Sequence, residues 1–157
     1  MNLFDFDLLN TDIRNAMPQF QGFTDSFIIA MMAASWFPLH IEESDQPSIN
    51  LVHVPNREKI DIPKAIKVWI IIPPNQSHHV ERLLDLLIPE DEKWCSNFLA
   101  HRNIMINPQI LTQFGIDYYI GSANEGEITV LLPRAYHTGM VNIVVYIMYF
   151  TAMEVYV

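Results

Sequence analysis

This chain has a single cysteine and half as many basic as acidic residues. The one cysteine, Cys95, excludes an internal disulfide and a cysteine-based zinc site, and it fits a reducing compartment. It follows Trp94 ahead of an apolar helical pattern and reads as a buried structural thiol rather than a nucleophile. Nine Lys and Arg stand against 18 Asp and Glu, for a formal net charge of -9. Binding a phosphate backbone needs clustered basic side chains, so no direct nucleic-acid contact is expected of this domain. An acidic surface suits a basic partner such as a Lys/Arg-rich peptide, or serves only to keep the domain soluble. The stretch MNLFDFDLLN lacks a basic n-region and reads as no signal peptide. Nor is a membrane span expected: Phe27 to Phe37 covers about a dozen residues, too short to cross. Val141 to Val157 holds Asn142 and Glu154 and reads as one or two buried strands.

Apolar residues are abundant. Half of the 157 residues are hydrophobic and 17% are charged, enough for one core. With no repeat or low-complexity tract, the expectation is one domain over 1–157, whole or as a fragment truncated at its C-terminal end. Phe27 to Met32 reads as a buried strand that Trp36 to His40 continues past a proline bend. Ser48 to Val54 alternates as a second strand, Pro55 to Pro63 is a loop, and Lys67 to Ile72 is the clearest strand. Ser77 is placed to cap a helix carrying Val80, Leu83, Leu84 and Leu87. A second helix is predicted over Glu90 to His101, and a short one over Pro108 to Phe114. Tyr118 to Ile120, a turn over Gly121 to Gly126, Ile128 to Leu132, a corner from Pro133 to Gly139 and a final apolar strand region follow. Strands at both ends around central helices predict a mainly β barrel or sandwich with a helical insert.

Most of the six histidines have plain readings. His78 and His79 are solvated at a helix start, His101 ends a helix, and His53 is a core residue or a support for the site. His40 and Glu42 differ. Spaced i, i+2 in extended chain, they share a face. With one distant histidine they can form a two-histidine, one-carboxylate site, which fills one face of an octahedral Fe(II) and leaves the other open. By itself the H-x-E pattern is common and unspecific.

The surrounding sequence is more specific. Ser35 to Glu43 resembles the first metal motif of JmjC (Jumonji C) domains, and Pro47 to His53 is similar to that family's Y-S-I-N-Y-L-H segment. Lys67-Val68-Trp69 with Pro73-Pro74 looks like its K-x-W strand and proline exit. Cys95 to Leu111 looks like its helix and I-S-P-x-x-L turn. Gly126 to Gly139 resembles G-E-F-x-x-x-F-P-R-A-Y-H-x-G, whose histidine falls on His137. These motifs stand in family order over roughly residues 20 to 140.

The resemblance implies a double-stranded β-helix, a cupin-like jelly roll, with His40, Glu42 and His137 on Fe(II). It implies that Lys67 pairs with the distal carboxylate of 2-oxoglutarate, helped by Asn50 and Ser48, and that Trp69 walls the pocket. It further implies a dioxygenase that couples decarboxylation of 2-oxoglutarate to hydroxylation of a substrate C–H bond. In demethylase members that bond belongs to N-methyl-lysine of a histone tail, and formaldehyde leaves. A nuclear location follows from the family alone. The chain departs from the family pattern at Ile29, where many members carry tyrosine, and near Tyr149, where they carry a small residue. It also departs in an insertion over Pro55 to Ile66, which makes Lys64 a competitor of Lys67. Three readings therefore stand: a histone lysine demethylase, a hydroxylase of another protein side chain, and a catalytically silent module that binds or scaffolds.

Overall fold

The computed structural model describes residues 27–42, 45–54, 58, 66–89, 103–143 and 145–151. Cys95, Lys64, the helix expected over Glu90 to His101 and nearly all of the loop after Pro55 lie outside them.

Eight strands form two antiparallel four-stranded sheets. They are β1 (Phe27–Met31), β2 (Trp36–His40), β3 (Ser48–His53), β4 (Lys67–Ile72), β5 (Tyr119–Ala123), β6 (Ile128–Leu131), β7 (Tyr136–Val141) and β8 (Val145–Thr151). One sheet runs β1-β8-β3-β6 and the other β2-β7-β4-β5. Consecutive strands alternate between the sheets except β4 and β5, which are neighbours. Between those two lie the helices α1 (Ser77–Leu87) and α2 (Pro108–Gln113). This is the double-stranded β-helix with a helical insert. Among the described residues no helix is long and apolar enough to cross a membrane.

Two apolar layers hold it together. Met31, Val52, Trp69, Leu131, Val141, Val145 and Ile147 pack inside the barrel and draw on both sheets. Leu39, Ile72, Val80, Leu83, Leu84, Leu111 and Tyr136 pack where the helices cover the outer face of the β2-β7-β4-β5 sheet. The period-2 pattern of β4 serves both layers, with Lys67 and Trp69 facing inward and Ile70 and Ile72 meeting the outer layer.

The structure corrects several sequence expectations. Phe27–Met31 is an edge strand with Ile29 and Ala30 exposed, because only β8 pairs with it among the described residues. Trp36–His40 does not continue it. The chain reverses through a Met32–Ser35 turn, with Ala34 in left-handed backbone (φ 63°), and crosses to the other sheet. Ser77 does not cap α1. A 3-10 turn at Pro74–Gln76 feeds the helix, and the Ser77 hydroxyl donates instead to the Arg134 carbonyl at 2.6 Å. The strand β5 runs on through Gly121 to Ala123, held by its register with Lys67 to Trp69. The turn there is thus only Asn124 to Glu127, closed by the Glu127 carboxylate on the Asn124 amide at 2.7 Å. Likewise the corner is confined to 133–135, and β7 starts at Tyr136. His53 is no core residue: partly exposed, it meets Glu125 at 3.1 Å.

Candidate functional site

The strands β2 and β7 are neighbours, and their register sets His40 opposite His137. The ring centroids lie 4.3 Å apart. Glu42 follows directly on the end of β2, and its Oε1 is 3.3 Å from Nε2 of His137. One ligand atom from each of the three lies within 4.8 Å of the others. All three side chains are buried.

The two imidazoles are oriented alike. His40 Nδ1 lies 2.7 Å from the Pro38 carbonyl, and His137 Nδ1 lies 2.9 Å from the Ala135 carbonyl. A carbonyl oxygen only accepts, so Nδ1 carries the proton on each ring and Nε2 holds the lone pair. Fixing a histidine tautomer through its other ring nitrogen is how proteins prepare a metal ligand. The donor set of two neutral nitrogens and one carboxylate suits a divalent transition ion.

A break in β2 makes this possible. The pairing register shifts between Phe37 and His40, around Pro38, which has no amide to give the ladder. As a result Phe37 and His40, three residues apart, both reach the inner side, while Leu39 joins the outer layer. The Thr138 hydroxyl donates to the Phe37 carbonyl at 2.7 Å at the break. Gly139 fits here because a Cβ would overlap the Val68 carbonyl oxygen and come within 2.9 Å of Phe37 Cζ.

Beside the triad lies a pocket of hydrogen-bond donors. Lys67 is 2% exposed, and its ammonium donates to Asn50 Oδ1 at 3.2 Å. It also sits 3.7 Å from the Trp69 ring and 4.5 Å from that of Phe37, both cation–π contacts. Burial pushes its pKa down to about 7, against an opposing pull from the charge of Glu42. Three buried polar atoms nearby find no hydrogen-bond partner among the described residues: Ser48 Oγ, Asn50 Nδ2 and Trp69 Nε1. Buried polar groups are normally paired. A buried cation with Asn50 as its hydrogen-bond partner, beside donors that are idle among the described residues, fits a small anion. Trp69 joins pocket and triad, its ring 5.9 Å from that of His137.

The structure thus brings together six of the seven residues singled out in the sequence and buries the seventh, Ser48, on the same face of β3 as Asn50. It adds two that sequence reasoning missed, Phe37 and Gly139. Phe37 could not be placed from spacing, because strict alternation would have set it on the face opposite His40.

A sequence model described as "JmjC domain, hydroxylase" matches residues 27–144. The chain is similar to the human protein named "Probable lysine-specific demethylase 4F", 29% identical over 119 residues, which is 76% of this chain and 17% of that protein. It is similar to the mouse "Lysine-specific demethylase 4B", 30% identical over 119 residues, 76% of this chain and 10% of the relative. The rat "Lysine-specific demethylase 4D" is 29% identical over 119 residues, 76% of this chain and 22% of the relative. The chain therefore spans only a small part of the length of the curated relatives it matches.

Proposed function

Because the chain belongs to the JmjC domain family, we propose that it is an Fe(II)- and 2-oxoglutarate-dependent oxygenase, with His40, Glu42 and His137 on the metal and Lys67 on the co-substrate. The observation that carries this reading is the adjacency of two prepared features. One is a His-Glu-His cluster with both Nε2 lone pairs presented. The other is a buried donor pocket with Lys67 at its centre.

When bound, iron and 2-oxoglutarate supply the oxidising chemistry that hydroxylates a substrate C–H bond. The chain's own residues position and exclude. The Pro38 and Ala135 carbonyls hold the rings of His40 and His137 in one tautomer. Glu42 contributes the negative charge that offsets part of the metal's. Lys67 would pair with a carboxylate of 2-oxoglutarate, and Asn50 Nδ2 and Ser48 Oγ would be further donors. Phe37 and Trp69 wall the pocket and keep water from the ammonium, which strengthens its pull on an anion.

The substrate reading is demethylation of N-methyl-lysine in histone tails, in the nucleus, through hydroxylation and release of formaldehyde. It is supported by relatives named as lysine-specific demethylases and by the net charge of -9, which favours a basic peptide. The alternatives are hydroxylation of another protein side chain at the same site and a catalytically silent module; Ile29, exposed on the β1 edge where many family members carry tyrosine, speaks for the silent module. Incubation with Fe(II), ascorbate, 2-oxoglutarate and methyl-lysine peptides separates them. Succinate with equimolar formaldehyde is the result expected of the demethylase. Succinate with a product 16 Da heavier and no formaldehyde, on a broader peptide set, would favour the hydroxylase. Neither product from well-folded protein would leave the silent module.

A further inference from the structure

Arg134 stands in the turn before β7 in left-handed backbone (φ 61°), which a residue with a Cβ seldom adopts. Its partner Asp45 does the same (φ 55°). The guanidinium Nη1 donates to Asp45 Oδ2 at 3.0 Å, and Nη2 lies 3.6 Å from Glu81 Oε1 on α1. The Arg134 carbonyl is itself held, accepting from Ser77 Oγ at 2.6 Å. One side chain therefore ties three pieces together: the loop after β2, the helix α1 and the start of β7.

What these pieces carry gives the contact its meaning. The Asp45 amide donates to the Glu42 carbonyl at 3.2 Å, so Asp45 closes the turn that begins at Glu42. On the other side, Arg134 directly precedes Ala135, whose carbonyl holds the His137 ring. Glu42 follows β2 and His137 lies on β7, neighbouring strands of one sheet, and the Arg134–Asp45 contact spans the segments that bear them. We infer that Arg134 is a positioning residue, a latch whose ion pair with Asp45 holds the Glu42 turn against the His137 turn and so sets the geometry of the metal cluster. This rests on the reading of His40, Glu42 and His137 as metal ligands.

The latch is about half exposed on both sides, and such pairs contribute little to overall stability. Its effect falls on the site, where removal of supporting contacts lowers metal affinity by about 10- to 100-fold. Solvent screening puts Arg134 at the low end, about tenfold.

The test is Mn(II) titration of the whole chain, read by loss of the free-ion electron paramagnetic resonance signal, beside urea unfolding. Arg134→Ala keeps the Cβ and so adds no backbone strain of its own. It is expected to bind about tenfold more weakly with the urea midpoint barely moved. Arg134→Lys should recover most of the affinity. Asp45→Asn keeps shape and tolerates left-handed backbone, so it should reproduce the loss even where Arg134→Ala folds poorly. Because the contact is electrostatic, the gap to wild type should narrow in about 1 M salt. Wild-type binding with unchanged affinity in Arg134→Ala and Asp45→Asn would overturn the latch alone. Wild-type protein that binds no Mn(II) would overturn the metal reading, and the latch with it.

Discussion

On its outer face the β2-β7-β4-β5 sheet meets almost only apolar side chains: Leu39 and Ile72 from the strands, and Val80, Leu83, Leu84 and Leu111 from the helices. On its inner face the same strands bury Lys67, His40 and His137, with Glu42 alongside and Ser48 and Asn50 facing from β3. Both faces bury their side chains, yet they do opposite things. Removing apolar surface from water stabilises the outer layer. Burying a cation and several idle donors destabilises the inner one. The fold is held by the outer layer and by the apolar residues inside the barrel, and the stability so gained is partly offset at the site.

The largest effect that sharpens this contrast is expected in the outer layer. Leu83 is 2% exposed, and Leu83→Ala should lower the unfolding free energy by about 2–5 kcal/mol in urea titration. The folded fraction should still bind 2-oxoglutarate with unchanged affinity. The inner layer should answer in reverse. Lys67→Met keeps the aliphatic stem and deletes a buried charge, so stability should hold or rise. Affinity for 2-oxoglutarate, read by calorimetry with Mn(II) present, should fall about 100-fold, as for loss of one partner of a buried charge pair. A Lys67→Met protein as unstable as Leu83→Ala would break the comparison.

A smaller effect follows from the Lys67 ammonium, whose pKa burial lowers from 10.5 to about 7. Between those values the unfolded chain binds the proton and the folded chain does not. Unfolding free energy therefore rises with pH across that window, by up to about 1.4 kcal/mol per unit. Below about 7 the burial penalty is present in full. Urea unfolding at pH 7 and pH 9 should show wild type gaining on Lys67→Met, whereas parallel changes would place the slope elsewhere.

The chain's motifs made much of this legible. The period-2 pattern of Ser48 to His53 and of Lys67 to Ile72 marked two strands correctly, and the spacing of His40 and Glu42 marked one face of the site. What escaped was set by particular contacts distant in sequence. The sheet change at Ala34 depends on backbone hydrogen bonds to Val141, which the local apolar run does not encode. The inward turn of Phe37 depends on the register break at Pro38. Gly121 to Ala123 looked like turn residues and lie in a strand because β4 pairs with them. Ser77 had the chemistry of a helix cap, but the Arg134 carbonyl competes for its hydroxyl. Arg134 and Asp45, 89 residues apart, gave no local signal of their contact.

The most direct test of the central claim is anaerobic titration with Fe(II) and 2-oxoglutarate, followed by the visible charge-transfer absorption of an iron-chelated 2-oxo acid. The account expects a saturable band in the wild type, lost in His137→Ala and reached only at far higher 2-oxoglutarate in Lys67→Met. A folded wild-type protein without the band, or a band that survives in His137→Ala, would contradict it.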